Sequence, residues 1–131
     1  MKIGFTGTQR GMTAHQKARL VTILTALWPE ADDSVWQFHH GDCIGADFEA
    51  AAIAKQLGFW IVAWPPKNTT KRAYFSSHDV REPAPYLQRN HDIVDATDRL
   101  IATPKESEEV LRSGTWATIR YARKLKRPID I

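Results

Sequence analysis

The chain has 131 residues, of which 43% are hydrophobic and 25% charged. That is the size and composition of one soluble globular domain spanning residues 1–131, and it excludes wholesale disorder. The uncharged apolar runs fall far short of the ~18 residues a membrane helix needs, Met1-Lys2 opens no leader-like segment, and a lone Cys43 excludes an internal disulfide framework, so a protein of the reducing cytoplasm with no membrane partner is expected.

The formal charge of +3 is unevenly spread. From Glu30 to Glu49 there are six acids and no Lys or Arg, and from Arg112 to Arg127 six bases and no acid. A basic end suits phosphate, on a nucleotide or on nucleic acid, and equally a solvated helix face.

Lys2-Ile3-Gly4-Phe5-Thr6 reads as a strand that ends in the glycine-punctuated turn Gly7-Thr8-Gln9-Arg10-Gly11. Thr13-Ala14-His15-Gln16 has the pattern of a capping box, in which hydroxyl and amide side chains satisfy orphan N–H groups. Leu20, Leu24, Leu27 and Trp28 then form one helical stripe, and Pro29 stops it. Val35 to His39 reads as a second strand ending in the turn His40-Gly41-Asp42-Cys43-Ile44-Gly45-Ala46-Asp47. A helix from Phe48 to Leu57 follows, with Ala50, Ala51, Ala52 and Ala54 allowing close approach to a sheet and Gly58 past its end. Phe59 to Trp64 is a third strand, apolar throughout as if covered on both faces. Trp36, Trp60 and Trp64 are expected in the core.

Pro65 to Pro85 holds four prolines and the basic cluster Lys67, Lys71 and Arg72, with no clear period, and is expected as a long loop. Its segment Lys71-Arg72-Ala73-Tyr74-Phe75 suits a ligand, a single strand of nucleic acid or a second protomer. Tyr86 to about Ala96 is a helix with Leu87, Asn90 and Val94 on one stripe, and Arg99 to Thr103 a fourth strand stopped by Pro104. Ser113-Gly114-Thr115 opens a last helix with Thr118, Tyr121, Ala122 and Leu125 on its inner stripe. Pro128 to Ile131 is a fifth strand. Strands alternating with helices predict an α/β protein, a mainly parallel five-stranded sheet doubly wound with helices on both faces.

In such a sheet the strand-to-helix turns gather at the carboxyl edge, and ligands bind where the strand order reverses. Order 3-2-1-4-5 puts the Gly7 and Ser113 turns on either side of one crevice. A helix N-terminus there supplies unpaired N–H groups and a positive dipole end, and glycine lets backbone approach an anion. Thr8, Ser113 and Thr115 add hydroxyls, and Arg10 and Arg112 add charge. Each glycine taken alone also has the plainer reading of a tight turn. The dinucleotide fingerprint GxGxxG is absent. His39, His40, Asp42 and Cys43 have no second matching cluster, so no metal and no cofactor are expected. Cys43 near a helix start lacks a nucleophile's partners and reads as a packed small residue, and His91 as a helix-surface histidine.

Taken in order, Gly7-Thr8-Gln9-Arg10, His40 to Asp47, Arg89-Asn90, Thr103-Pro104 and Arg112-Ser113-Gly114-Thr115-Trp116-Ala117-Thr118 resemble the SLOG superfamily. The likeness spans Ile3 to Ile131 and is strongest to its small stand-alone YspA- and YpsA-like groups. The superfamily also holds the DNA-processing protein A group and the LONELY GUY-type phosphoribohydrolases. The resemblance implies a Rossmann-like sheet, a nucleotide or nucleotide-derived ligand, and a homo-oligomer. The ligand-binding residues it implies are Gly7, Thr8, Gln9, Arg10, Gly41, Asp42, Gly45, Ala46, Asp47, Arg89, Asn90, Thr103, Arg112, Ser113, Gly114, Thr115 and Trp116.

The phosphoribohydrolases carry a catalytic Glu in Pro-Gly-Gly-x-Gly-Thr-x-x-Glu. Here Thr118 stands at that position, and Arg112-Ser113 replaces Gly-Gly. A threonine supplies neither a carboxylate base nor charge for an oxocarbenium-like centre. Arg89 matches a helix in which that family keeps a catalytic arginine. If hydrolysis persists, Asp42, Asp47 or Glu49 supplies the carboxylate; Asp47 also has the plainer reading of a first-turn helix acid. The sequence therefore predicts a nucleotide-binding module, with a nucleotide hydrolase using Arg89, Asp47 and Asp42 as the alternative and single-stranded DNA binding as the third.

Overall fold

The computed structural model describes residues 1–28 and 35–131. The expected helix stop at Pro29 lies outside those residues. The strands are β1 (Lys2–Gly7), β2 (Gln37–His40), β3 (Trp60–Ala63), β4 (Asp79–Val80), β5 (Arg99–Thr103) and β6 (Ile129–Asp130). The helices are α1 (Ala14–Leu27), α2 (Ala46–Gln56), α3 (Tyr86–Ala96) and α4 (Gly114–Lys124). All pairings among the named strands are parallel, and the sheet runs β4-β3-β2-β1-β5-β6. Five strands were expected and six are present: β4, two residues inside the Pro65–Pro85 segment, is the addition. It is too short for periodicity to reveal. Without it the order matches the predicted one, and β1 lies beside β5 at the reversal.

The two faces of the sheet are read from alternate residues. Ile3, Phe5, Phe38, Ile61 and Ile101 point toward α1 and α2, where Leu20, Leu24, Ala50, Ala51 and Ala54 meet them. Leu100 and Ala102 point the other way, toward α3 and α4. The small alanines of α2 let that helix lie close to the strands. Ala52 is the exception, on the solvent side of α2. The Thr13–Gln16 capping box forms as expected, with Gln16 N donating to Thr13 Oγ1 at 3.1 Å and Thr13 N to Gln16 Oε1 at 3.0 Å.

Several expected core positions fall elsewhere. β2 begins at Gln37, so Val35 and Trp36 precede the strand, with Val35 exposed and Trp36 half-buried. Trp60 is 43% exposed and stacks on His78, with ring centroids 4.4 Å apart. It lies outside the core because β4 pairs only with Val62 and Ala63 and leaves the start of β3 at the sheet margin. Trp64 is half-buried and donates to His39 Nδ1 at 2.9 Å. On α3 the inward stripe is Arg89, Ile93 and Val94, while Leu87 is 65% exposed. Leu125 caps α4 and is exposed as well.

One buried carboxylate holds the middle of the long Pro65–Pro85 segment. Asp42, in the β2–α2 turn, accepts from Arg72 Nε at 2.9 Å and from Phe75 N at 2.9 Å. Its own carbonyl accepts from Ala73 N at 2.8 Å. Asp42 holds a left-handed φ of 53°, a strained conformation that these three contacts maintain. Arg72 also lies over the Tyr74 ring at 4.3 Å. Asp42→Ala strands a half-buried guanidinium and frees the Phe75 amide; a loss of about 2–3 kcal/mol is expected in chemical denaturation, with little change in slope.

Candidate functional site

The carboxyl edge of the sheet opens into a cleft of about 660 Å³. Gly7, Thr8, Gln9 and Arg10 form one wall, Gly41 and Asp47 the floor, Arg89 and Asn90 another wall, and Ser113, Gly114 and Thr115 the far side. Turns far apart in the chain thus meet because β1 pairs with β5 through to Gly7 and Thr103, and Thr8 N donates onward to Thr103 O at 3.2 Å. The β2–α2 turn joins them through Ala46 N, which donates to Thr8 O at 3.0 Å.

Backbone geometry in these turns demands glycine at two places. Gly45 has φ +86°, and a Cβ there would run into the Gln9 carbonyl. A Cβ on Gly41 would meet Arg89 Cζ at 2.7 Å and Asp47 Oδ2 at 2.8 Å. The α4 end is built differently. Ser113 caps the helix by accepting from Trp116 N at 3.2 Å. The Gly114 and Thr115 amides, at the first helical positions, have no protein acceptor among the described residues.

Other expected site residues do not line the cleft. Asp42 accepts from Arg72 on one carboxylate oxygen and from Phe75 N on the other, which turns its side chain toward the Pro65–Pro85 segment. Gly45 and Ala46 shape the wall from behind. Thr103 is buried beside Gly7, and its hydroxyl has no partner among the described residues. Arg112 is exposed outside the cleft. Trp116 points into the α4 core against Ala102 and Ile119, because the Ser113 cap turns its side chain away from the opening. Glu49 is engaged by Met12 N at 2.7 Å and Lys17 Nζ at 3.0 Å. The Thr118 hydroxyl donates to Gly114 O at 2.9 Å inside the helix, so the position of the family's catalytic Glu faces no cleft here.

Arg89 is 5% exposed and is spent largely on the protein. Nη1 donates to the carbonyls of Gly41 and Trp64, and Nε to Asn90 Oδ1 at 2.8 Å. No carboxylate among the described residues comes within 4.0 Å of its guanidinium. Asp47, 6% exposed, accepts from Gly41 N at 3.0 Å and Cys43 N at 3.4 Å, both on Oδ2. Burial pushes its carboxyl up to about 6, against the pull of Arg89 and the two amides. It is the one carboxyl of the expected catalytic set that faces the cleft.

Burial also raises the Cys43 thiol, with Asp47 adding to the shift, which disfavours a thiolate nucleophile. His39 and His40 are lowered to about 4 and about 3, chiefly by burial, and are neutral at ordinary pH. No metal-ligating cluster occurs among the described residues, and none of their helices is long and apolar enough to cross a membrane.

Sequence reasoning missed Lys105, Glu106 and Tyr86 as cleft residues and reached Lys71 only as part of a basic loop. Lys105 lies two residues past the end of β5, so the rule that sites gather at strand ends was the available signal. Lys71 reaches the cleft through the Asp42 clamp, which no local pattern announces.

No protein-family model matches the chain, and no curated protein matches it. Solved structures do. The molybdenum cofactor binding protein of Rippkaea orientalis matches over 98% of this chain and 73% of its own, with 20% identity and a TM-score of 0.72. The molybdenum cofactor carrier protein of Chlamydomonas reinhardtii matches over the same shares, with 20% identity and a TM-score of 0.63. DNA processing protein A of Helicobacter pylori, described for its single-stranded DNA binding, matches over 98% of this chain and 63% of its own, with 19% identity and a TM-score of 0.68. At such identities the likeness speaks for the fold alone, an α/β one of Rossmann-like build.

Proposed function

We propose that this chain binds a nucleotide or nucleotide-derived ligand in the carboxyl-edge cleft, with the phosphate at the start of α4. The observation that carries the reading is the pair of Gly114 and Thr115 amides, without a protein acceptor among the described residues, at a helix start that lines the same cleft as the Thr8–Arg10 turn. Helix N-termini favour anions through both donors and dipole. Arg10, Lys71 and Lys105 line the cleft as cations, and its volume is in the range of small-molecule sites. Binding of the molybdenum cofactor or of single-stranded DNA by proteins of this fold is in keeping with a ligand at this edge. A confined cleft that also holds Asp47 and Glu106 suits a discrete ligand better than a long polyanion.

Gly114→Pro isolates the phosphate contact. Proline is accepted at the first helical position, Ser113 before it is already extended (ψ 128°), and nothing lies within 4 Å of a Cβ there. The substitution deletes one N–H and leaves the helix. Calorimetry against nucleoside monophosphates should show affinity falling by roughly tenfold, as expected for one charged hydrogen bond, with the melting temperature unchanged or raised. Unchanged affinity would remove phosphate from this helix end.

A second reading, cleavage of the ligand's N-glycosidic or phosphate bond, is favoured by Asp47 alone: a buried carboxyl, raised to about 6, facing the cleft beside Arg89. As base or nucleophile Asp47 must be ionised, so turnover would rise with pH through about 6 and level off above it. Free-base release from nucleoside monophosphates, followed from pH 5 to 8, tests this. Asp47→Asn should abolish the activity, and no release by the unaltered protein at any pH rejects the reading.

A further inference from the structure

A second opening lies away from the start of α4. It is a gap of about 360 Å³ between α1 and the β5–β6 margin of the sheet. Leu20 and Ile23 of α1 and Ile101 of β5 give it an apolar lining. Gln16 Nε2 donates to Pro104 O at 2.9 Å and ties its two sides together. Its volume is within the range that takes small molecules.

The charges around this gap are unevenly matched. His15 and Arg19 stand one turn apart on α1, and Lys105 follows β5. No acid among the described residues comes within 4.0 Å of any of the three. Two acidic side chains join the lining. Asp130 is engaged by Arg99, at 2.7 and 3.2 Å, and Glu106 pairs with no cation among the described residues. Glu106 offsets one of the two permanent cations and leaves the other for a single negative charge. Lys105 and Glu106 also line the carboxyl-edge cleft, whereas His15 and Arg19 do not.

Apolar walls beside one unmatched guanidinium suit a ligand with a water-avoiding body and one anionic end. The planar fork of arginine fits a carboxylate, and a single charge separates such a ligand from phosphates and polyanions. We propose that this gap binds a small apolar monocarboxylic acid, its carboxylate on Arg19 and its body against Leu20, Ile23 and Ile101. The proposal stands apart from the reading of the cleft, since it uses neither the α4 end nor Asp47.

Titration calorimetry with octanoate and naphthoate, set against the uncharged octanamide and naphthamide, tests it. At least one acid should bind about tenfold or more tightly than its amide, the difference expected for a charged hydrogen bond. Arg19→Gln, at an exposed helix position, should bring acid and amide within about threefold of each other. Equal affinity for acid and amide in the unaltered protein, or no acid bound at millimolar concentration, overturns the proposal without recourse to any variant. A preference that survives Arg19→Gln, or that is lost in Arg10→Gln instead, puts the acid elsewhere and overturns it too. Sedimentation covers the competing occupant: a dimer of the unaltered protein that Arg19→Gln separates assigns this face to a second copy and overturns the small-ligand site.

Discussion

The parallel pairing of β1 with β5 is the constraint from which the cleft follows. Parallel strands point their carboxyl ends the same way, and each must hand the chain to a crossover beyond that edge. Because β5 lies beside β1 and not beyond β3, the chain reverses its winding between them. One pair of helices covers one face and the other pair the second. The turns after β1 and β5 are therefore neighbours with a gap between them that neither helix layer fills. The register that ends at Gly7 and Thr103 and continues to the Thr8 amide sets how close the two rims come.

Inside that gap, burial gives ordinary residues unusual jobs. Arg89 on α3 occupies an inward position that would suit a leucine by periodicity. Its charge is accommodated by two main-chain carbonyls, by Asn90 and by the nearby Asp47, not by a contact ion pair. A buried guanidinium that fixes the Gly41 carbonyl also fixes the turn carrying Asp47. The hydrogen bonds that orient the floor thus run largely through main-chain groups of the β2–α2 turn and of Trp64.

Much of this was legible in the sequence, and the parts that were not share a cause. The strand order, the capping box at Thr13, the cap at Ser113 and the convergence of the Gly7, Gly41 and Gly114 turns all follow from local pattern plus topology. Local pattern failed where a long-range contact decided the outcome. Asp42 carried the chemistry of a catalytic acid in sequence, yet its carboxylate is consumed by Arg72 and Phe75 about thirty residues on. Trp116 followed a ligand-type turn, but the cap that makes the turn also rotates it into the core. β4 exists only through its pairing with the end of β3. Lys71 reaches the cleft only because Asp42 anchors its loop.

The two-residue strands β4 and β6 stand at the outer margins of the sheet. A ladder that short offers few free main-chain groups to a neighbouring molecule, and β4 is followed by Arg81 in an ion pair with Asp79 at 3.2 Å. Continuous sheet growth from one copy into another is thereby discouraged at both borders. Any assembly of this chain has its way steered toward helix faces and loops, where side-chain fit, rather than shared backbone, would set the partner and the stoichiometry.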